Sequence, residues 1–238
     1  MPAMRFTLAG LLTMLLVATG CGADPEGARW RLERVETERS FGADNLGAVS
    51  WAVEGGRLYV GTWNTATGGE VFRSRDGHRW SRVSAGGFGR RRNFCVFSLT
   101  PYRGHLYAGT WNVKDGAGLH RTRLTDGGKA LRWQAVTESG FGDRRNQATT
   151  SLCAFRDHLY AGCYNLEAGA EVWRSSSGDP GTWRQVNADA FGDLRNSDAT
   201  SLRVHGDYLY ASTEALRARG RGCQIWRTRG RLQGAHLV

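Results

Sequence analysis

A unit of about fifty residues recurs along this chain and limits its fold more than any other feature. Phe-Gly opens each copy, at Phe41, Phe88, Phe141 and Phe191. Leu-Tyr follows at Leu58-Tyr59, Leu106-Tyr107, Leu159-Tyr160 and Leu209-Tyr210. Trp80, Trp133 and Trp183 close the first three copies. A period of this length marks a propeller or another repeat array, in which each unit buries its apolar face against the next.

The cleanest copy, Phe141 to Val186, predicts four short strands: Thr149 to Phe155, His158 to Tyr164, Ala170 to Ser175 and Thr182 to Val186. β-branched and aromatic residues are common in these runs, and no helical period persists. Gly55-Gly56, Arg103-Gly104, Arg156-Asp157 and Gly206-Asp207 supply two-residue hairpin turns. Four antiparallel strands per repeat make one propeller blade. The expected fold class is therefore all-β, a β-propeller of about four blades over residues 30–238. The last copy has Gln224-Ile225-Trp226-Arg227 as a third strand and no clear fourth. Trp30 to Val35 reads as a fourth strand lacking its first three, 50 residues before Trp80. This N-terminal strand is expected to complete the last blade and remove two open sheet edges. The competing reading is a truncated chain whose missing blades lie past Val238.

Met1 to Arg5 is a short cationic start, and Phe6 to Ala18 is a mostly apolar run too short to span a bilayer. Ala18-Thr19-Gly20-Cys21 resembles the bacterial lipobox, although Ala18 stands where that family more often has leucine. The resemblance implies a lipoprotein signal over residues 1–20, a lipidated Cys21, and a tether to residue 29. Acyl chains at Cys21 would anchor the protein in a membrane, at ~0.8 kcal/mol per buried methylene. Gly22 in place of an aspartate leans towards the outer membrane or cell surface. An ordinary secretory signal with a chance cysteine is the alternative. Export permits disulfides among Cys95, Cys153, Cys163 and Cys223. The Arg156-Asp157 turn, however, sets Cys153 opposite Tyr160 and turns Cys163 to the other face, against a Cys153–Cys163 bridge.

The repeat resembles two propeller groups. Leu58-Tyr59-Val60-Gly61, a loop, Glu70-Val71-Phe72-Arg73 and Trp80 are similar to a kelch-type blade, without its double glycine. Ser74 to Trp80 resembles the Asp box of sialidases, shortened by one residue, and Ser177 to Trp183 is a second shortened version. That resemblance implies structural roles for Asp76 and Asp179, capping turns away from the active face. The whole unit is similar to repeats of uncharacterised exported bacterial proteins.

Strand order puts the loop that opens a blade and the loop between its second and third strands on one face. The candidate ligand face thus holds Arg91, Arg92 and Asn93; Arg144, Arg145 and Asn146; and Arg195 and Asn196. From the second loops come Trp63 and Asn64, Trp111 and Asn112, and Tyr164 and Asn165. Arginine forks bind carboxylates, sulfates or phosphates. Asparagine amides pair with sugar hydroxyls, and aromatic faces stack on sugar rings. The chain carries 32 cationic against 22 anionic residues, a net charge of +10. Lys114 and Lys129 are the only lysines, so a GC-rich genome is a second source of the arginines. The expected partners are the membrane, through the lipid anchor, and an acidic polysaccharide or envelope protein. Export argues against nucleic acid.

The bland alternative for the asparagines is that they hold turns. Glu70 and Glu171 occupy one repeat position, where Gly118 and Gln224 stand in the other copies. A repeated feature of this kind argues against a catalytic acid–base pair, whose members need different environments. No catalytic residue is assigned, and no CxxC, HExxH or GxSxG motif points to a metal, cofactor or nucleophile. The expected function is a non-enzymatic binding module of the cell envelope. The alternative is a carbohydrate-active, sialidase-like enzyme.

Overall fold

The computed structural model describes residues 41–124, 131–216 and 222–230, with the backbone of 232–233 and 236–237. The expected leader, Cys21, the tether and the strand at Trp30 to Val35 lie outside the described residues. The fold is all-β and built of propeller blades. The first blade is β1 (Gly47–Glu54), β2 (Arg57–Trp63), β3 (Val71–Ser74) and β4 (Trp80–Arg82). The second is β5 (Cys95–Tyr102), β6 (His105–Trp111), β7 (Leu119–Arg123) and β8 (Trp133–Thr137). The third is β9 (Ala148–Phe155), β10 (His158–Tyr164), β11 (Glu171–Ser175) and β12 (Arg184–Gln185). The fourth contains β13 (Asp198–His205), β14 (Tyr208–Glu214) and β15 (Ile225–Thr228). A small hairpin of β16 (Leu232–Gln233) and β17 (His236–Leu237) follows.

Each blade is an antiparallel meander. The turn at Arg156 sets Cys153 opposite Tyr160, the register expected from sequence. The fourth strand of the third blade is shorter than expected because Thr182 belongs to the preceding turn. Its hydroxyl donates to the Asp179 carbonyl at 2.7 Å and pairs with Ser175 Oγ. Cys95, Cys153, Cys163 and Cys223 are free thiols.

The core lies between blades. Tyr59, Val71, Leu99 and Leu106 fill the first seam; Tyr107, Leu119, Leu152 and Leu159 the second; Tyr160, Val172, Leu202 and Leu209 the third. Each such side chain contributes roughly 1.5–3 kcal/mol by leaving water. A serine reinforces every seam from the innermost strand: Ser50 donates to Val96 O, Ser98 to Thr149 O and Ser151 to Ala199 O, at 2.7–2.9 Å. Gly61, Gly109 and Gly162 let the strands come this close. A Cβ on any of them would lie 2.5–2.7 Å from the carbonyl oxygen of the next blade's inner strand. In the fourth blade that position is Ser212, bonded within its own blade to Thr200 at 3.0 Å.

The innermost strands pack in series, β1 on β5, β5 on β9 and β9 on β13. The two end faces differ from the seams. Trp51 is 54% exposed where Leu99, Leu152 and Leu202 are buried, and Ile225 is 75% exposed where Val71, Leu119 and Val172 are buried. Among the described residues β15 pairs with β14 alone and has no fourth strand beside it.

Candidate functional site

The Phe-Gly signature positions the blade-opening loops. Phe88, Phe141 and Phe191 sit in the left-handed region, with φ of 55–64°. A bulky residue enters that region only when packing holds it there. Each phenylalanine packs on an aromatic ring of its own blade's third strand: Phe41 on Phe72, Phe88 on His120, Phe141 on Trp173 and Phe191 on Trp226, with centroids 4.2–5.3 Å apart. This contact fixes where the following Arg and Asn residues emerge.

The opening loop and the second loop of a blade do share a face, and asparagines knit them together. Asn112 Nδ2 donates to Asn93 Oδ1 and Asn165 Nδ2 to Asn146 Oδ1, both at 2.9 Å. Asn64 Nδ2 reaches Asn45 Oδ1 at 3.4 Å. The Oδ1 atoms of Asn64, Asn112 and Asn165 each cap two backbone amides of their own loop. Asn196 accepts from Thr213 and donates to Ala190 O and Gln224 Oε1. All six expected asparagines are at most 2% exposed. They shape the face from beneath, with Oδ1 and Nδ2 bonded to the loops; the opening-loop amides of Asn146 and Asn196 each donate twice, whereas among the described residues Asn93 Nδ2 donates only to Gly87 O.

Trp63, Trp111 and Tyr164 are half-buried. Trp111 packs against Phe94 at 4.7 Å and against Trp63 at 6.4 Å. The indole N–H groups of Trp63 and Trp111 are buried without an acceptor among the described residues.

The arginines divide by blade. Arg145 binds Asp143 through Nε at 2.9 Å and Nη2 at 2.8 Å, and Arg195 grips Asp193 in the same way. The Arg145 guanidinium holds the Asp143 carboxyl below the usual range, and Arg195 holds that of Asp193 down to about 2. The second blade breaks this pattern. Arg90 stands where Asp143 and Asp193 stand, so Arg92 lacks the carboxylate two residues before it. Arg90 turns to Glu138 at 2.7 Å, and Arg92 makes only a 3.4 Å contact with Asp115. Arg91 has no hydrogen bond or ion pair among the described residues. Relative to the third blade, the exchange of aspartate for arginine adds two units of positive charge to the loop and removes the partner of its last arginine.

An open cleft of about 550 Å³ lies there, lined by Thr65, Arg91, Arg92, Phe94, Asn112, Val113 and Lys114. The structure thus brings Arg91, Arg92 and Asn112 together from the expected set. Arg144, Arg145, Arg195 and Tyr164 do not line this cleft. Sequence reasoning missed Lys114, Phe94 and Thr65. The signal was present in Arg90, which departs from the repeat in charge, and in Lys114, one of two lysines in the chain.

The carboxylates at the paired repeat position are engaged. Glu70 accepts from Asn45 at 2.9 Å and Arg82 at 2.8 Å; Glu171 accepts from Asn146 at 2.5 Å and Trp173 Nε1 at 2.8 Å. Burial raises the Glu171 pKa, against the two hydrogen bonds that favour its ion. Gln224 makes the same contacts as a neutral amide, so the position serves the fold without needing charge. Asp76 caps its turn by accepting from the amides of His78 and Arg79 at 2.9 and 2.8 Å, which draws its pKa to about 2. Asp179 instead crosses between blades to Arg121 at 2.6 Å.

The fourth blade carries one further departure. Asp198 opens β13, where Gly47, Cys95 and Ala148 open the other inner strands. It pairs across the sheet with Glu214, which stands in the slot of Trp63, Trp111 and Tyr164. Asp198 is buried and accepts from Thr150 Oγ1 at 2.7 Å; burial pushes its pKa up to about 7, and Glu214 adds to the rise. Among the described residues no group of three His, Cys, Asp or Glu side chains is arranged to hold a metal ion.

No family model matches the chain, and no curated protein does. Solved structures do. The native arabinanase of Bacillus subtilis is 16% identical with a TM-score of 0.49, over 78% of this chain and 74% of that one. An α-L-arabinofuranosidase from Clostridium thermocellum is 13% identical with a TM-score of 0.49, over 83% and 73%. The Bacteroides ovatus xyloglucan PUL GH43B protein is 16% identical with a TM-score of 0.45, over 76% of this chain and 38% of that one, so the chain spans well under half of its length.

Proposed function

We propose that this chain is a binding module for acidic polysaccharide, held at the bacterial cell envelope through Cys21, and that the cleft of the second blade is its main contact. One observation carries the reading. Arg90 replaces the aspartate that pairs with the loop arginine in the third and fourth blades, and the cleft beside it gathers Arg91, Arg92 and Lys114 with the aromatic ring of Phe94. Guanidinium forks recognise carboxylate or sulfate in two-point contact, and the aromatic ring takes the apolar face of a sugar. Exposed ion pairs contribute only about 0.2–1 kcal/mol each, so affinity requires several contacts at once and falls with salt. The test is affinity electrophoresis in gels containing polygalacturonate or dextran sulfate. The wild-type protein is expected to be retarded, and the double variant R91A/R92A to migrate as in a gel without polymer. Equal retardation of the two proteins sinks the proposal.

A carbohydrate-active enzyme is the second reading, favoured by the Asp198–Glu214 pair. These opposed carboxyl groups lie in different environments, one buried and one exposed, which acid–base catalysis requires. Turnover of an aryl glycoside that disappears in both D198N and E214Q supports it; a panel of such substrates left intact by the wild-type protein excludes it.

A further inference from the structure

The second blade lacks an oxygen that the other three supply from within. At the repeat position that leads into the third strand, Glu70, Glu171 and Gln224 each present a side-chain oxygen to the opening-loop asparagine of their blade. Trp173 and Trp226, two residues further on, donate their indole N–H to the same oxygen at 2.8 and 3.2 Å. In the second blade this position is Gly118 and the aromatic position is His120. The acceptor is gone, while Asn93 Nδ2 and, in its Nε2–H tautomer, His120 remain to donate. Among the described residues Asn93 Nδ2 keeps only the Gly87 carbonyl, at 3.0 Å. His120 is 3% exposed, and its Nε2 has no partner among the described residues. That nitrogen lies 2.7 Å from where a Cβ on Gly118 would sit, beside the point from which the glutamate side chain rises in the first and third blades. Phe88, stacked on the imidazole at 4.2 Å and 13°, holds the ring in that direction. Leaving a buried polar group unpaired costs roughly 1–3 kcal/mol.

We propose that the second blade takes this oxygen from its ligand: a uronate carboxylate accepts from His120 Nε2 and Asn93 Nδ2, as the carboxylate of Glu171 accepts from Trp173 and Asn146 in the third blade. The inference rests on the acidic-glycan reading and narrows it from anions in general to carboxylates. The position is one hydrogen bond from the cleft, since Asn112, which lines the cleft, donates to Asn93 at 2.9 Å. Arg90, Arg91 and Arg92 surround the approach with positive charge. His120 itself arrives neutral, because burial and, secondarily, the charge of Arg90 push its pKa down to about 4. A bound carboxylate reverses that balance and raises it.

The experiment follows the His120 ring by nitrogen-15 NMR during titration with trigalacturonate, its methyl ester and dextran sulfate. Trigalacturonate is expected to move the ring signals saturably, and the ester and the sulfate to leave them in place. In H120F, which carries the residue type of Phe72 in the first blade, trigalacturonate affinity should fall about tenfold, with dextran sulfate binding unchanged. G118E/H120W rebuilds the third blade's arrangement and should abolish the uronate preference; if that variant does not fold, H120F decides. Ring signals that trigalacturonate does not move, or uronate binding equal in H120F and the wild type, overturn the inference. The two proposals fail separately. If R91A/R92A loses dextran sulfate while His120 ignores uronate, the cationic cleft stands and the carboxylate position falls. If uronate moves His120 while R91A/R92A binds both polymers as the wild type does, the reverse holds.

Discussion

Replacing Asp198 by asparagine should remove a large part of this protein's pH dependence. The side chain is 6% exposed, at the mouth of β13, with one hydrogen bond from Thr150 and with Glu214 opposite. Burial raises its pKa from 3.8 to about 7. Between those values the folded protein keeps a proton that the unfolded chain has released. Folding is therefore favoured at low pH, and stability falls as pH rises from about 4 through 7. At about 1.4 kcal/mol for each pH unit between the two values, the loss above pH 7 amounts to about 4 kcal/mol, a large share of a typical 5–15 kcal/mol. Asparagine keeps the shape and the acceptor for Thr150 without a charge to bury. Urea unfolding of both proteins at pH 4.5, 6, 7.5 and 8.5 measures the effect, and taking their difference cancels every other titrating group. The variant should exceed the wild type by about 1 kcal/mol near pH 4.5 and by several kcal/mol at pH 8.5. Parallel stability curves from pH 4.5 to 8.5 would refute the buried, neutral carboxyl.

The seams and loops yield further expectations. Gly109→Ala places a methyl group 2.7 Å from Thr149 O and should cost about 1–3 kcal/mol by urea denaturation, whereas Ser212→Ala at the same repeat position should cost well under 1 kcal/mol. Asn146→Ala strips donors from Glu171 and Gly140 O and an acceptor from Asn165, for a loss of about 2–4 kcal/mol in the same assay. Glu171→Gln copies Gln224 and should change stability by less than about 1 kcal/mol; a larger loss would mean that the position needs its charge. A test of hydrolysis separates the readings in the same way, since Glu171→Gln should leave any glycosidase turnover intact.

The blades were legible in the sequence because their punctuation is local. Phe-Gly and the hairpin turns are dictated by neighbours within one blade, and Leu-Tyr by the same contact repeated at each seam between blades, so all recur at fixed spacing. The shared face of opening and second loops followed from strand order alone. The use made of the asparagines did not: Asn93 and Asn112 meet 19 residues apart, and only the fold shows them bonded to each other instead of facing solvent. The arginines looked equivalent because composition conceals pairing, yet Arg145 has Asp143 two residues away while Arg92 has Arg90 there. His120 belongs to no motif, and it gains meaning only when the repeat register sets it against Trp173. Asp198 and Glu214 are 16 residues apart and meet only through β13 and β14. Gaps in the repeat are thus more informative about the site than the repeat is, and they become readable only when the register is known.

On the proposed reading, Arg90 makes the second blade's loop cationic and so makes it a site. Arg90→Asp restores the Asp–Arg arrangement of the third and fourth blades, giving Arg92 the partner that Arg145 and Arg195 have. Calorimetric titration of polygalacturonate at low and at physiological salt measures the consequence. The expected result is at least tenfold weaker binding for R90D, with a shallower salt dependence than the wild type. Equal affinity and equal salt dependence in the two proteins would contradict it.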